Sequence, residues 1–290
     1  MSKSITWTGV IVVVAVLCGG AVWALRQSRG APTAPPAVAP PAPAVPARPE
    51  ATAPTRATVS TKPAESPAER AVDKAAAKHR YAIITVYRQQ DPASDTMRAV
   101  VKAKQARVVS RADLVEVDRD NAANQALITR LGLEKAPIPI ALVVAPNGAV
   151  TAGFPNEMKS DVNLAKSFVS TGMSNVLKVL QGGKLAVVCL QNSRTALNTK
   201  NQALAKAIAA DPQLASVSEV LTMDPADRME ADFYKQCKVT TGTKNAQVLL
   251  LVPPGKVVGV FDADTSKDAV MAKIQSACSG GSCGPSGCGP

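Results

Sequence analysis

An internal repeat that begins after residue 79 is the feature of this 290-residue chain that most limits its fold. Two landmarks recur at a nearly constant distance, since Asp118 and Asp224 are 106 residues apart and Gly148 and Gly255 are 107 residues apart. Self-similarity at one spacing predicts that each half is a structural unit with the same chain path. A half of about 100 residues is long enough to be a domain with its own core.

Short apolar runs alternate with helical patterns in both halves. Continuous runs of branched apolar residues are typical of buried parallel strands, and apolar residues three or four apart indicate helices. The predicted order in each half is β-α-β-α-β-β-α. Predicted strands are 81–87, 113–118, 140–144 and one ending at Phe154, then 185–190, 217–222, 247–252 and one ending at Phe261. Predicted helices include 95–107, 197–210, one apolar stripe over 165–180, and two that start at Asp118 and Asp224.

Several residues of the first half carry a likeness to a known fold. The second strand ends in Val117-Asp118, a helix ends in Leu131-Gly132-Leu133, and Ile138-Pro139 leads into an apolar strand. This pattern resembles the thioredoxin-like fold family, closely over 79–181 and more loosely over 184–277. The resemblance implies an α/β chain with two tandem thioredoxin-like βαβαββα domains within those bounds. It also places Pro139 at the family's cis-proline position.

The motif that gives the family its redox chemistry is missing. Redox members carry Cys-x-x-Cys after the first strand, where a helix N-terminus stabilises a thiolate. The first half reads Arg88-Gln89-Gln90-Asp91 there, the second reads Gln191-Asn192-Ser193-Arg194, and no cysteine lies between residues 19 and 188. The first half therefore cannot exchange a dithiol, which argues against an enzyme. Arg88 and Asp91 are either a binding site or part of a solvated loop.

Two cysteines lie inside the second half. Cys189 falls within the predicted first strand, and Cys237 falls on the inner face of a predicted helix. Unpaired cysteine is among the most buried residue types, so both are predicted to be core thiols. The alternative for Cys189 is a displaced nucleophile. The family's proline is also replaced in this half by Asn245-Ala246.

The C-terminal tail, residues 278–290, carries the three remaining cysteines of the chain after residue 80. Cys278, Cys283 and Cys288 recur at five-residue intervals among Gly, Ser and Pro. Such a segment cannot bury a core, so the tail is predicted to be flexible with exposed thiols. Three readings stay open: an inert tail, a thiol redox site, or a soft-metal site for Cu(I) or, with Cys237 or water, Zn(II). No other cofactor is predicted.

The N-terminal region is predicted to be an anchor and a spacer. After a short tail at 1–4, the run Ile5–Leu25 has no formal charge and spans about 30 Å as a helix, the thickness of a bilayer core. A signal-anchor transmembrane helix is the favoured interpretation, and a cleaved signal peptide is the alternative. Residues 26–70 are predicted to be a disordered Pro/Ala-rich linker, because proline removes amide donors.

Charge and composition exclude several function classes. Residues 1–80 hold ten basic and four acidic side chains, whereas the two halves are nearly balanced, so a nucleic-acid surface is not expected. His79 is the only histidine, which argues against Ser-His-Asp and Cys-His catalysis and against His-rich metal sites.

Together these features favour a membrane-tethered, non-catalytic tandem protein that binds or positions a protein partner. Its long Ala/Pro spacer after an anchor resembles bacterial envelope proteins, which places the globular part in the periplasm or outside the cytoplasm. The first alternative is a thiol–disulfide oxidoreductase that uses Cys278, Cys283 or Cys288. The second is a metal-handling protein that uses the same three residues.

Overall fold

A computed structural model describes residues 65–159 and 161–277 of the chain. These residues form two units of similar architecture. The first unit contains α1 (Pro67–Ala77), β1 (Tyr81–Tyr87), α2 (Pro92–Gln105), β2 (Ala112–Asp118), α3 (Gln125–Arg130), β3 (Ile140–Val144) and β4 (Val150–Pro155). The second contains α4 (Thr171–Gln181), β5 (Leu185–Leu190), α5 (Asn198–Ala209), β6 (Ser218–Met223), α6 (Ala231–Gln236), β7 (Gln247–Val252), β8 (Lys256–Asp262) and α7 (Lys267–Ala277).

Each unit is built on a four-stranded mixed sheet. The strand order is β2-β1-β3-β4 in the first unit and β6-β5-β7-β8 in the second. In both, the first two strands are parallel and the last two form an antiparallel hairpin. The register is equivalent as well, since Val86 lies opposite Ile140 and Leu190 lies opposite Gln247.

Both faces of each sheet are covered, because the central strands are apolar on both sides. In the first unit, α1 and α3 pack on one face and α2 packs on the other. In the second unit, α4 and α6 pack on one face and α5 and α7 pack on the other. Helix α4 therefore holds the position in the second unit that α1 holds in the first.

Helix α4 also contacts the first unit, and we call it the bridging helix. Its Leu177 is buried in the core cluster that contains α2. The Gln181 side chain pairs with edge strand β4, donating to the Val150 carbonyl at 2.6 Å and accepting from the Val150 amide at 2.9 Å. Asn147 of the β3–β4 turn donates to Asn175 Oδ1 at 2.9 Å. The bridging helix is thus fixed along the open edge of the first sheet.

The opposite side of the bridging helix belongs to the second core. Val176, Val179 and Leu180 are buried against the sheet of the second unit. At the helix N-terminus, the buried Glu230 carboxylate accepts from the Gly172 amide at 2.8 Å and from the Ser170 hydroxyl. One helix therefore supplies buried side chains to both cores.

The structure differs from the sequence expectations in three places. The predicted stripe over 165–180 is broken, since a short 3-10 helix covers Leu164–Ser167 and α4 begins only after Ser170, whose hydroxyl caps it. The predicted linker runs to residue 70, whereas α1 begins at Pro67. Asp118 and Asp224 do not cap helices. The caps are Asn121 and Asp227, each at the start of a 3-10 turn.

The predicted anchor Ile5–Leu25, most of the predicted linker 26–70 and the tail 278–290 lie outside the described residues. Among the residues that the structure does describe, no helix combines the length and apolar character needed to cross a membrane.

Candidate functional site

The loop that joins β1 to α2 is the first candidate site. Asp91 caps α2, since its carboxylate accepts from the Ser94 amide at 3.1 Å and from the Ser94 hydroxyl at 2.6 Å. The hydrogen bond from the Ser94 hydroxyl is the main reason that the pKa of Asp91 lies below its usual value. Arg88 Nε lies 3.6 Å from Asp120 Oδ2 in an exposed ion pair. Asp91 therefore organises the helix start, and Arg88 lies on the surface.

The corresponding loop of the second unit, between β5 and α5, is held by side-chain amides. Asn192 Oδ1 accepts from the backbone amides of Arg194 at 2.8 Å and Thr195 at 3.1 Å. Its Nδ2 donates to Asp224 Oδ1 at 2.6 Å, which ties this loop to the loop after β6. The pKa of Asp224 is lowered mainly by the Ala226 amide and further by Asn192. Neutral amides thus occupy the place where a redox protein would carry its thiols.

The peptide bond before the third strand differs between the units. The Ile138–Pro139 bond is cis and leads directly into β3. In the second unit Asn245 and Ala246 take this place, and Asn245 forms an isolated bridge with Ala196 of the loop after β5. A second cis bond, Pro253–Pro254, lies in the β7–β8 turn.

The strand order of the two sheets, with a parallel β-α-β unit and an antiparallel hairpin, decides the fold. Both units have a thioredoxin-like fold. No protein-family model matches the sequence, and no curated protein matches it.

Solved structures with similarity to the chain include thioredoxin-domain proteins and a reductase subunit. The first two thioredoxin domains of Saccharomyces cerevisiae Eps1p are 13% identical over 68% of this chain and 94% of that one, with a TM-score of 0.23. Human ERp44 is 12% identical over 71% of this chain and 55% of its own, with a TM-score of 0.31, so the chain spans about half of ERp44. The NTD_N/C domain of Enterococcus faecalis AhpF is 12% identical over 70% of this chain and 96% of that one, with a TM-score of 0.23.

The two cysteines in the described residues are free thiols buried in the second unit. Cys189 is the penultimate residue of β5 and is 1% exposed, and Cys237 follows α6 and is 6% exposed. Burial raises the pKa of each thiol to about 11. The thiolate is the reactive form, so both groups are poor nucleophiles at neutral pH. Cys278, Cys283 and Cys288 lie outside the described residues.

An apolar cavity of about 240 Å³ adjoins Cys237, and we call it the Cys237 cavity. It lies between the bridging helix, α6 and the β7–β8 hairpin. Its walls include Val176, Leu180, Phe233, Cys237, Gly255 and Val257. Within the described ranges, no group of three His, Cys, Asp or Glu side chains is placed to hold a metal ion.

Glu230 is a buried polar residue that the sequence analysis did not single out. It is 4% exposed and links the 3-10 turn before α6 to the start of the bridging helix. The sequence offers little signal for it, because its partners Ser170 and Gly172 are about 60 residues away along the chain.

Proposed function

We propose that this protein is a membrane-tethered, non-catalytic tandem thioredoxin-like protein that binds or positions a protein partner in the cell envelope. The observation that carries the proposal is the composition of the two loops after β1 and β5. Asp91 is engaged in capping α2, and Asn192 is engaged in holding its own loop. Neither loop contains a thiol that could form a mixed disulfide.

The state of the buried thiols supports the non-catalytic part of the proposal. Cys189 and Cys237 have raised pKa values, and each lies inside a hydrophobic cluster. A dithiol catalyst needs an accessible thiolate with a lowered pKa. These two residues have the opposite properties.

The partner surface that we propose is the edge of the second sheet where β5 and β6 end. Exposed loops held by a rigid scaffold are common binding sites, and ligands favour the carboxyl ends of parallel strands. Leu197 and Met229 lie in the loops at this edge and are 39% and 76% exposed. We propose that a protein partner packs against these two side chains, because burial of exposed apolar surface favours association.

A reduction assay tests the absence of catalysis. The full chain, purified in mild detergent, is added to insulin and dithiothreitol, and we expect the same turbidity curve as without protein. A faster curve that is lost in the triple variant Cys278→Ser, Cys283→Ser, Cys288→Ser would replace this proposal with the oxidoreductase alternative. A Cys189→Ser variant is the matched control, since it removes a thiol that lies in the core.

A site-specific photocrosslinker tests the partner surface. The probe replaces Met229 in one sample and Val109 in the other. Both side chains are well exposed, and Val109 lies in the first unit, in the loop before β2, away from the proposed surface on the second sheet. We expect a discrete adduct in native membranes from position 229 and none from position 109. Equal adducts from both positions, or none from position 229, would contradict the proposed surface.

The N-terminal anchor is part of the proposal and has its own test. We propose that Ile5–Leu25 holds the chain in the membrane and that the globular units lie on the extracytoplasmic side. Carbonate extraction should leave the full chain in the membrane pellet. Release of the protein into the supernatant would indicate that the segment is cleaved or does not span the bilayer.

Metal binding by the tail is the second alternative. Protein purified without chelator is assayed for Cu and Zn, and the proposed function predicts no stoichiometric metal. Stoichiometric metal that disappears in the triple tail variant would indicate that the protein handles metal through its tail.

A further inference from the structure

Basic side chains collect at the end of the first unit where β1 and β2 begin. The segments that lead into these two parallel neighbours, residues 74–80 and 107–113, carry five basic side chains and one acidic one. The acidic one, Asp113, accepts from Arg80 Nη2 at 2.6 Å. The other four basic side chains are exposed, and we call them the basic end: Lys74, Lys78, Arg107 and Arg111. Lys74 and Lys78 also lie close enough to Asp113 to lower its pKa.

The second unit shows that the fold does not require this charge. Its equivalent segments, 178–184 and 213–219, carry two basic side chains and one acidic one. Lys184 pairs with Glu219 at 3.4 Å, in the same place as the ion pair of the first unit. Both units therefore have one ion pair at this end, but the excess is four positive charges in the first unit and one in the second.

An apolar side chain lies among these charges, in the loop between α2 and β2. Val109 is 59% exposed, and Arg107 and Arg111 flank it along the chain. Arg80 holds the loop from behind, since it donates to the Val109 carbonyl at 2.5 Å and to the Ser110 carbonyl at 2.7 Å. The loop is therefore fixed to the start of β1 while its apolar tip points to solvent between two exposed guanidinium groups.

We propose that the basic end and Val109 dock on the surface of a lipid bilayer that contains anionic phospholipids. Arginine binds phosphate groups through paired hydrogen bonds, and basic side chains close to an anionic bilayer are attracted to it. Val109 enters the interface, where the burial of apolar surface is favourable, and the long basic side chains keep their charged ends at the headgroups. A nucleic acid duplex offers phosphates but no apolar layer for Val109.

This inference does not depend on the proposed function, because it needs neither the anchor Ile5–Leu25 nor a protein partner. A photocrosslinker at position 109 is still expected to give no protein adduct, since lipid would face it. Failure of the lipid surface would leave the tests of partner binding, anchoring and catalysis unchanged.

Hydrogen exchange of the full chain measures docking at the loop itself. The protein is combined with nanodiscs of phosphatidylcholine, with or without added phosphatidylglycerol, and amide exchange of a peptide that covers residues 106–112 is followed by mass. We expect exchange to slow only in discs with phosphatidylglycerol, and the slowing to disappear at high salt because salt screens exposed charges. Equal exchange in both kinds of disc would overturn the proposal. Equal slowing by a DNA duplex would assign the surface to nucleic acid instead.

Charge reversal at the loop has a matched control in the second unit. Arg107→Glu with Arg111→Glu is compared with Lys235→Glu and Lys238→Glu, which make the same change of charge at exposed positions. Each basic residue near an anionic surface strengthens binding by about fivefold, so we expect the loop pair to need at least about 25-fold more phosphatidylglycerol discs for half-maximal slowing. Urea unfolding establishes that both variants fold. Equal weakening by the two pairs would refute a specific basic end.

A second pair of variants tests the apolar tip. Val109→Ser removes the apolar side chain without a change in charge, and Val217→Ser is the control, since Val217 is 44% exposed in the second unit. We expect weaker slowing of exchange in Val109→Ser and no change in Val217→Ser. Full slowing in Val109→Ser would show that the surface recognises charge alone, and would overturn the insertion of Val109 into a bilayer.

Discussion

The hydrogen bonds of Glu230 predict a large loss of stability when its carboxylate is removed. The side chain is almost fully buried and accepts from the Gly172 amide and the Ser170 hydroxyl. A hydrogen bond to a charged group contributes about 1.5–3 kcal/mol, and a carboxylate at a helix N-terminus adds about 0.3–1 kcal/mol. Because both donors are partly accessible to water, we take the lower end and expect Glu230→Ala to lower the free energy of unfolding by about 3 kcal/mol.

Urea denaturation of a fragment that starts at residue 65, followed by circular dichroism, measures this effect. Glu230→Gln keeps one acceptor oxygen and should lose about half as much. Glu219→Ala is the matched control, since Glu219 pairs with Lys184 at 3.4 Å on the surface and such pairs contribute about 0–1 kcal/mol. If Glu230→Ala and Glu219→Ala shift the midpoint equally, Glu230 does not hold the bridging helix and the reasoning fails.

Three further predictions concern other parts of the second core and the first sheet. Gly172→Ala should lower the free energy of unfolding by about 1–3 kcal/mol, although alanine has the better helix propensity, because the added Cβ would lie 2.5 Å from Glu230 Oε1. Urea unfolding measures this change, and a stabilised variant would contradict the prediction. Cys189 and Cys237 should alkylate slowly at pH 7.5 and about tenfold faster per added pH unit, since each pKa is raised to about 11; a flat rate profile by mass mapping would exclude this. Arg80→Ala should make the loss of stability in acid smaller, because the Arg80 hydrogen bond lowers the pKa of Asp113. The stability that this bond contributes is fully present above the unfolded pKa of about 3.9 and is lost as the pH falls through the folded pKa. Unchanged acid unfolding of the variant would refute the prediction.

The strands were the part of the fold most accessible to sequence reasoning. Third strands 140–144 and 247–252 match β3 and β7 at both ends, and the second strands differ by one residue. Continuous branched runs carry this information, because a strand buried on both faces needs apolar residues at every position.

Helix α1 shows where composition misleads. Its sequence is rich in alanine and follows the proline-rich region, so composition alone predicts that residues up to 70 belong to the linker. The structure shows a capping box, in which Ser66 accepts from the Glu69 amide and Glu69 accepts from the Ser66 amide. The Ser-x-x-Glu signal was present in the sequence and would have identified the helix start.

The bridging helix could not be assigned correctly from periodicity. An apolar stripe shows that a helix is buried, but it does not tell which sheet covers it. Leu177 packs on the first core and Val176 packs on the second, although they are neighbours along the chain. The Cys237 cavity could not be predicted from the sequence either, because its walls come from three separate segments of the chain.

The bridging helix also affects the order in which the chain folds during synthesis. Domains generally fold N-terminal first as they leave the ribosome. The bridging helix is made before any strand of the second sheet, and the first sheet can already hold it through Leu177 and Gln181. Val176, Val179 and Leu180 then form an apolar surface that is ready when β5 and β7 emerge. The first unit thus acts as a template for the second, and ribosome-bound chains that have exposed residue 181 but not yet the second sheet should already contain this helix.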